Sequence, residues 1–315
     1  MPVRYVFPAA PIVVVIGCLL VATAGPSVRA QPQAPAFRAG VDLVSFTVTA
    51  TDAGQRHVSN LNREDFVVVE DGVAQEITFF AKSGIPLALA LLIDSSASME
   101  PSLGKAQEAA IGFVRQMASA DLATVIDFDS TVKTAQEPTG DRVRLESAIR
   151  GVAAGGSTAL YNAVYIGLRG LDKLTSIQQA ETSRRGAMVL LSDGEDTSSI
   201  IALDDVLDLA KRSDSVIYAI GLDSRELAGP RRSTDGRRVL RELAMQSGGR
   251  AFFTQNSAEL AAIYNDIRQE LSSQYVIGYE SKNQKRDGRW RTVSIRVARS
   301  GVQVRTRPGY FAPAR

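Results

Sequence analysis

Three oxygen-bearing side chains stand at alternate positions in Asp94-Ser95-Ser96-Ala97-Ser98. A carboxylate with two neutral hydroxyls is a donor set for a hard cation, which takes oxygen ligands, rather than for a metal that seeks thiolate or imidazole. The preceding run, Leu87-Ala88-Leu89-Ala90-Leu91-Leu92-Ile93, is unbroken and apolar, the pattern of a parallel strand covered on both faces. Asp94 therefore stands where a buried strand leaves the core. In open α/β sheets, ligand sites gather outside the carboxyl ends of strands, so position and chemistry agree.

Two other segments supply matching donors. Gly155-Gly156-Ser157-Thr158-Ala159-Leu160 reads as a loop entering a helix, with the Thr158 hydroxyl at the helix start. Ser192-Asp193-Gly194-Glu195-Asp196-Thr197 leaves a second all-apolar strand, Ala187 to Leu191. Asp193 thus takes on that strand the place Asp94 takes on the first, and both carboxylates should face one crevice. Taken singly, these residues have ordinary roles: Asp94 and Ser98 capping one helix, Thr158 capping another, Asp193-Gly194 making a turn. Caps alone do not require matched carboxylates at two strand ends.

The ordered set Asp94-x-Ser96-x-Ser98, Thr158 and Asp193-Gly194 resembles the metal-ion-dependent adhesion site of von Willebrand factor type A domains, over roughly Ile85 to Ser272. The flanks are similar to those of bacterial proteins related to that family in Arg63-Glu64-Asp65-Phe66, in Glu70-Asp71-Gly72 and in the closing Arg307-Pro308-Gly309-Tyr310. The resemblance implies that Ser96, Ser98 and Thr158 offer hydroxyl oxygens and that Asp94 and Asp193 bind directly or through water. Mg²⁺ suits such donors, with Mn²⁺ fitting the same oxygens and Ca²⁺ fitting less well for its size. It also implies a partner, a protein ligand whose Asp or Glu carboxylate replaces one water on the ion. The connection Asp223 to Arg238 carries Arg225, Arg231, Arg232, Arg237 and Arg238 and follows a parallel strand. A loop there lies on the same side as Asp94, and Arg231 and Arg232 are expected to steer an acidic partner to the ion. The alternative is a solvated insertion.

Around this set the chain changes texture twice. Val44, Phe46, Val48 and Ala50 alternate with polar residues, Phe66 to Glu70 is β-branched, and Asp71-Gly72 turns toward Ile77 to Phe80, as in short antiparallel strands. From Ile85 strands alternate with helices, which implies a mostly parallel sheet wrapped by helices. After Ser273 the strands return at Tyr275 to Tyr279, Val293 to Val297 and Val302 to Arg305. Three strands at each end are too few for a stable sandwich, so the two ends should pair. The expected fold class is α/β: a doubly wound, mostly parallel sheet with a flanking β-sandwich built from N- and C-terminal strands. The expected divisions are a signal peptide at 1–30, a linker at 31–40, sandwich strands at 41–82 and 273–315, and the type A domain at 83–272.

Arg4, a mainly apolar stretch from Val6 to Ala24, and Val28-Arg29-Ala30 read as a secretory signal cleaved before Gln31. The alternatives are a membrane anchor, interrupted by Pro8 and Pro11, and a lipid anchor at Cys18 in Val15-Ile16-Gly17-Cys18. The expected location is exported, periplasmic or secreted. The leader contains the only cysteine, and setting aside its Arg4 and Arg29 leaves 34 basic residues of the 36 against 34 acidic ones. A neutral chain without a basic run makes a poor nucleic-acid partner, and one without cysteine has no disulfide.

Catalysis has little to stand on. His57 is the only histidine, which argues against a Ser/His/Asp triad and excludes a histidine-ligated zinc site. Gly155-Gly156 lacks the lysine of a phosphate loop. Two alternatives to a binding module remain: an Mg²⁺-dependent phosphatase or phosphotransferase with Asp94 as nucleophile, and a scaffold whose metal site is unused.

Overall fold

A computed structural model describes residues 43–82, 84–175, 184–222 and 230–314, apart from the side chains of 230–233. The expected leader and tether lie outside the described residues. In chain order the elements are β1 (Leu43–Thr51), β2 (Phe66–Glu70), β3 (Val73–Gln75), β4 (Ile77–Lys82), β5 (Leu87–Asp94), α1 (Glu100–Val114), β6 (Leu122–Phe128), β7 (Val132–Thr139), α2 (Arg142–Arg150), α3 (Leu160–Thr175) and β8 (Arg185–Ser192). They continue with α4 (Leu203–Arg212), β9 (Val216–Leu222), α5 (Pro230–Gln246), β10 (Ala251–Thr254), α6 (Leu260–Ser273), β11 (Tyr275–Glu280), β12 (Trp290–Val297), β13 (Gln303–Arg305) and β14 (Gly309–Phe311).

The central sheet runs β10-β9-β8-β5-β6-β7, parallel except for the antiparallel edge strand β7. Alternation along β5 shows why its apolar run is unbroken. Leu89, Leu91 and Ile93 join a core with α1, α2 and α6, while Ala88, Ala90 and Leu92 join a second core with α3, α4 and α5. Each side chain finds a covering helix whichever face it points to. The strand β7 was not foreseen. Its sequence Val-Lys-Thr-Ala-Gln-Glu-Pro-Thr is polar and contains Pro138, composition that a sheet tolerates at an edge, where one face and one row of backbone groups meet water.

Two four-stranded sheets, β13-β1-β11-β4 and β14-β12-β2-β3, combine strands from both ends of the chain. Their inner faces share one core, including Phe46, Val48, Leu61, Phe66, Val68, Tyr275, Ile277 and Ile295. Each end contributes four strands rather than the three expected, because Val73–Gln75 and Gly309–Phe311 also pair. The phrases in the flanks meet inside this sandwich. The buried Glu70 carboxylate accepts bonds from the hydroxyls of Tyr279 (2.9 Å), Tyr310 (3.1 Å) and Ser281 (2.7 Å), while Asp71 and Gly72, at φ 45° and 84°, make the tight turn into β3. Arg307 lies over the Phe46 ring at 4.7 Å and donates to the Ser45 carbonyl.

A buried polar cluster ties the sandwich to the helical part. Glu270 of α6 accepts from Tyr218 of β9 (2.7 Å) and Thr49 of β1 (3.1 Å), and pairs with Arg305 of β13. Tyr218 is near the start of its strand, so this junction lies at the sheet end opposite the loop that follows Asp94.

Candidate metal centre

β5 and β8 are parallel neighbours with Ile93 beside Leu191, so their carboxyl ends deliver Asp94 and the Ser192-Asp193 pair to the same place. Asp94 is fully buried. One carboxylate oxygen accepts from the Ser96 amide (2.9 Å) and the other from the Ser192 hydroxyl (2.6 Å). The Ser98 hydroxyl donates to Asp193 Oδ2 at 2.7 Å and lies 3.1 Å from the Ser96 hydroxyl. Asp193 Oδ1 accepts the Glu195 amide at 3.0 Å. Ser98 and Asp193 are half-buried where Asp94 is sealed, so solvent reaches the group from their side.

Thr158 comes in on a separate loop and makes no direct bond to the other four among the described residues. Backbone bonds hold that loop against the first one: Gly155 N to Ser95 O at 2.7 Å and Ala97 N to Gly156 O at 3.2 Å. Gly156 sits at φ 71°, and a Cβ there would lie 3.1 Å from Ser130 Oγ and 3.3 Å from Asp129 Oδ2, so glycine suits the crossing on both counts. Thr158 itself is clamped by the third loop. Its carbonyl accepts from the amides of Thr197 (2.8 Å) and Ser198 (3.0 Å), and its amide donates to Thr197 Oγ1 (2.9 Å).

Several residues of this arrangement were invisible in the sequence. Ser192 orients Asp94, and Asp127 accepts a 2.5 Å bond from the Ser95 hydroxyl. Asp196 accepts the Tyr161 amide in the first turn of α3. Gly194, at φ 84°, packs directly on Gly236 of α5, whose carbonyl oxygen would lie 2.5 Å from an added Cβ. The segment expected to be a long loop from Asp223 to Arg238 is helical from Pro230 onward. It has no apolar period to announce the helix, and the signal available was Pro230 itself, at home in a first helical turn. The side chains of Arg231 and Arg232 lie outside the described residues, as does Arg225.

The electrostatics favour a cation. Burial is the main cause that pushes the Asp94 carboxyl up to about 7; the bonds from Ser192 and Ser96 pull it down, and the neighbouring Asp193 charge raises it further. No described lysine or arginine pairs with either carboxylate. Nor do three His, Cys, Asp or Glu side chains converge anywhere among the described residues, so the donors here are hydroxyls backed by carboxylates. Those donors fit a small oxygen-seeking divalent ion.

A doubly wound sheet with hydroxyl and carboxylate donors at the mouths of two adjacent central strands is an α/β domain built to present a small polar site. Residues 89–195 match the von Willebrand factor type A domain family. The matched stretch includes Asp94, Ser96, Ser98, Thr158 and Asp193. A protein of Nocardia farcinica described as UPF0353 is 27% identical over 241 residues, covering 67% of this chain and 69% of its own. Among solved structures, a von Willebrand factor type A protein from Catenulispora acidiphila is 13% identical, covers 88% of this chain and 76% of its own, and has a TM-score of 0.49. An aerotolerance-related membrane protein from Bacteroides fragilis is 20% identical, covers 59% of this chain and 98% of its own, and has a TM-score of 0.45.

Proposed function

We propose that this protein is an exported binding module in which a divalent cation, held by Ser96, Ser98 and Thr158 with Asp94 and Asp193 directly or through water, captures an Asp or Glu carboxylate of a protein partner. The observation that carries the reading is the convergence of Asp94, Ser96, Ser98 and Asp193 in one hydrogen-bonded group, with the Thr158 loop bonded to both neighbouring loops. Mg²⁺ is the ion these oxygens suit best, since it keeps waters that a partner can replace. Neutral hydroxyls leave much of its charge uncompensated, which draws an anionic group to the open side at Ser98 and Asp193. The chain's own residues hold the ion and shape the opening; the reading includes no reaction.

Two details complete it. The N-terminal leader supports export to the periplasm or beyond. Arg231 and Arg232 in the first turn of α5 would steer an acidic partner, since the same helix touches Gly194 through Gly236. A pull-down from an envelope extract tests the reading. Proteins retained in Mg²⁺, released by EDTA and absent with Asp94→Ala are expected; identical retention in all three conditions would remove it.

A further inference from the structure

The strand β10 ends the central sheet and, among the described residues, pairs only with β9. The register decides which of its backbone groups that pairing uses. Ala219 lies beside Ala251, and its amide donates to the Arg250 carbonyl at 3.1 Å; in a parallel ladder the bonds of one residue straddle the residue opposite. Phe252 therefore turns its amide and carbonyl to β9, as Arg250 does its carbonyl and Thr254 its amide. The amides and carbonyls of Ala251 and Phe253 point the other way, to the outer edge of the sheet.

Arginines flank this edge on both faces. Phe253 lies on the face of the second core, where Arg237 and Arg241 of α5 stand over its ring at 4.4 and 5.1 Å. Phe252 lies on the opposite face, and Arg250 stands over it at 4.6 Å. Arg241 and Arg250 are exposed and have no acidic partner among the described residues. The acids of the adjoining turns are engaged: Asp235 is 4.0 Å from Arg238, Glu242 accepts from Gln246 at 2.6 Å, and Glu259 accepts from the Thr254 hydroxyl at 2.6 Å. Charge at an edge commonly guards it against strand addition, most often as a mobile lysine. An arginine resting on a ring is held in place and keeps its N–H donors for an anion.

That charge decides what can lie along β10. A second copy would bring like arginines together across the new strand pair. The chain's own segment before Asp42 carries Arg4, Arg29 and Arg38 and no acid, so it is no better suited. An extended acidic segment is suited, because alternate side chains of an added strand point to opposite faces. Acids on one face would meet Arg237 and Arg241, and acids on the other would meet Arg250.

We propose that the β10 edge takes up an extended, Asp- or Glu-rich segment of a partner protein as an added strand. The backbone groups of Ala251 and Phe253 bond it, and Arg237, Arg241 and Arg250 select its charge. This surface goes beyond the cation-dependent capture proposed above: no ion takes part, and binding persists in EDTA.

The test uses the full chain in EDTA with three labelled peptides, made of five repeats of Glu-Thr, of Lys-Thr or of Glu-Pro. The Glu-Pro peptide has the charge of the first but lacks the amides that strand pairing needs at every second position. Glu-Thr is expected to bind and to slow hydrogen exchange at the Ala251 and Phe253 amides, while Lys-Thr does not bind and Glu-Pro binds about tenfold or more weakly. Arg241→Glu combined with Arg250→Glu should weaken Glu-Thr about tenfold or more, and Arg241→Lys with Arg250→Lys should keep most of the binding, each protein shown by circular dichroism to be folded. No binding of Glu-Thr, equal binding of Glu-Pro, unchanged exchange at Ala251 and Phe253, or undiminished binding in the folded double glutamate variant would each overturn the inference.

Discussion

Asp94 illustrates how much a single buried carboxylate constrains its surroundings. In the cation-free protein its carboxyl is pushed from 3.8 to about 7, chiefly by burial. The folded state then holds a proton that the unfolded chain has released, so this contribution to stability is present below about pH 4 and is lost as pH rises through about 7. In the proposed site a bound cation would take the place of that proton. Thermal unfolding in EDTA should therefore show falling stability from pH 5 to pH 8, and the gain on adding MgCl₂ should be larger at pH 8 than at pH 5. A gain that shrinks with pH would contradict the assignment of Asp94 to the ion. Thr158→Val keeps the shape and removes one hydroxyl, so Mg²⁺ should bind more weakly with little change in the melting temperature without metal. Calorimetry on that variant reads both quantities directly.

At the scale of elements, the site exists because three loops are bound to one another and to a helix. The contact between Gly194 and Gly236 is the tightest of these. Gly194→Ala puts a Cβ within 2.5 Å of the Gly236 carbonyl at a φ of 84°, which should destabilise the protein by about 1–3 kcal/mol and weaken Mg²⁺ binding together, by urea unfolding and calorimetry. The strands and the donors were legible in the sequence because their signals are local. An unbroken apolar run ending in Asp94 announces a buried strand and its mouth, and Asp193 repeats it. The clamps were not legible. Ser95 with Asp127, Tyr161 with Asp196 and Gly194 with Gly236 are pairs more than 30 residues apart, and nothing in the local pattern of either partner specifies the other. The helix from Pro230 was obscured by a polar first half, since periodicity shows a helix only where it has a core face to cover.

Across the whole described unit, the loops that carry Asp94, Thr158 and Asp193 and the sandwich junction occupy opposite ends of the central sheet. Glu270, Tyr218, Thr49 and Arg305 form the junction, and none of them touches the site residues. Glu270→Ala leaves Arg305 and two buried hydroxyls without their shared acceptor, and should cost about 3–5 kcal/mol in urea unfolding while leaving Mg²⁺ affinity unchanged. A large loss of Mg²⁺ affinity would show that the two ends are coupled. That the two ends of the chain pair could be argued in advance, because isolated three-stranded pieces are marginal; which strands join which sheet could not, because the core they share brings together residues more than 200 apart, such as Phe46 and Ile277. The central claim is that Asp94, Ser96, Ser98, Thr158 and Asp193 hold one divalent cation. Calorimetric titration of MgCl₂ into the wild type and into Asp94→Ala, each shown to be folded by circular dichroism, tests it most directly. The account predicts one binding event in the wild type and none in Asp94→Ala; equal binding in the two proteins would contradict it.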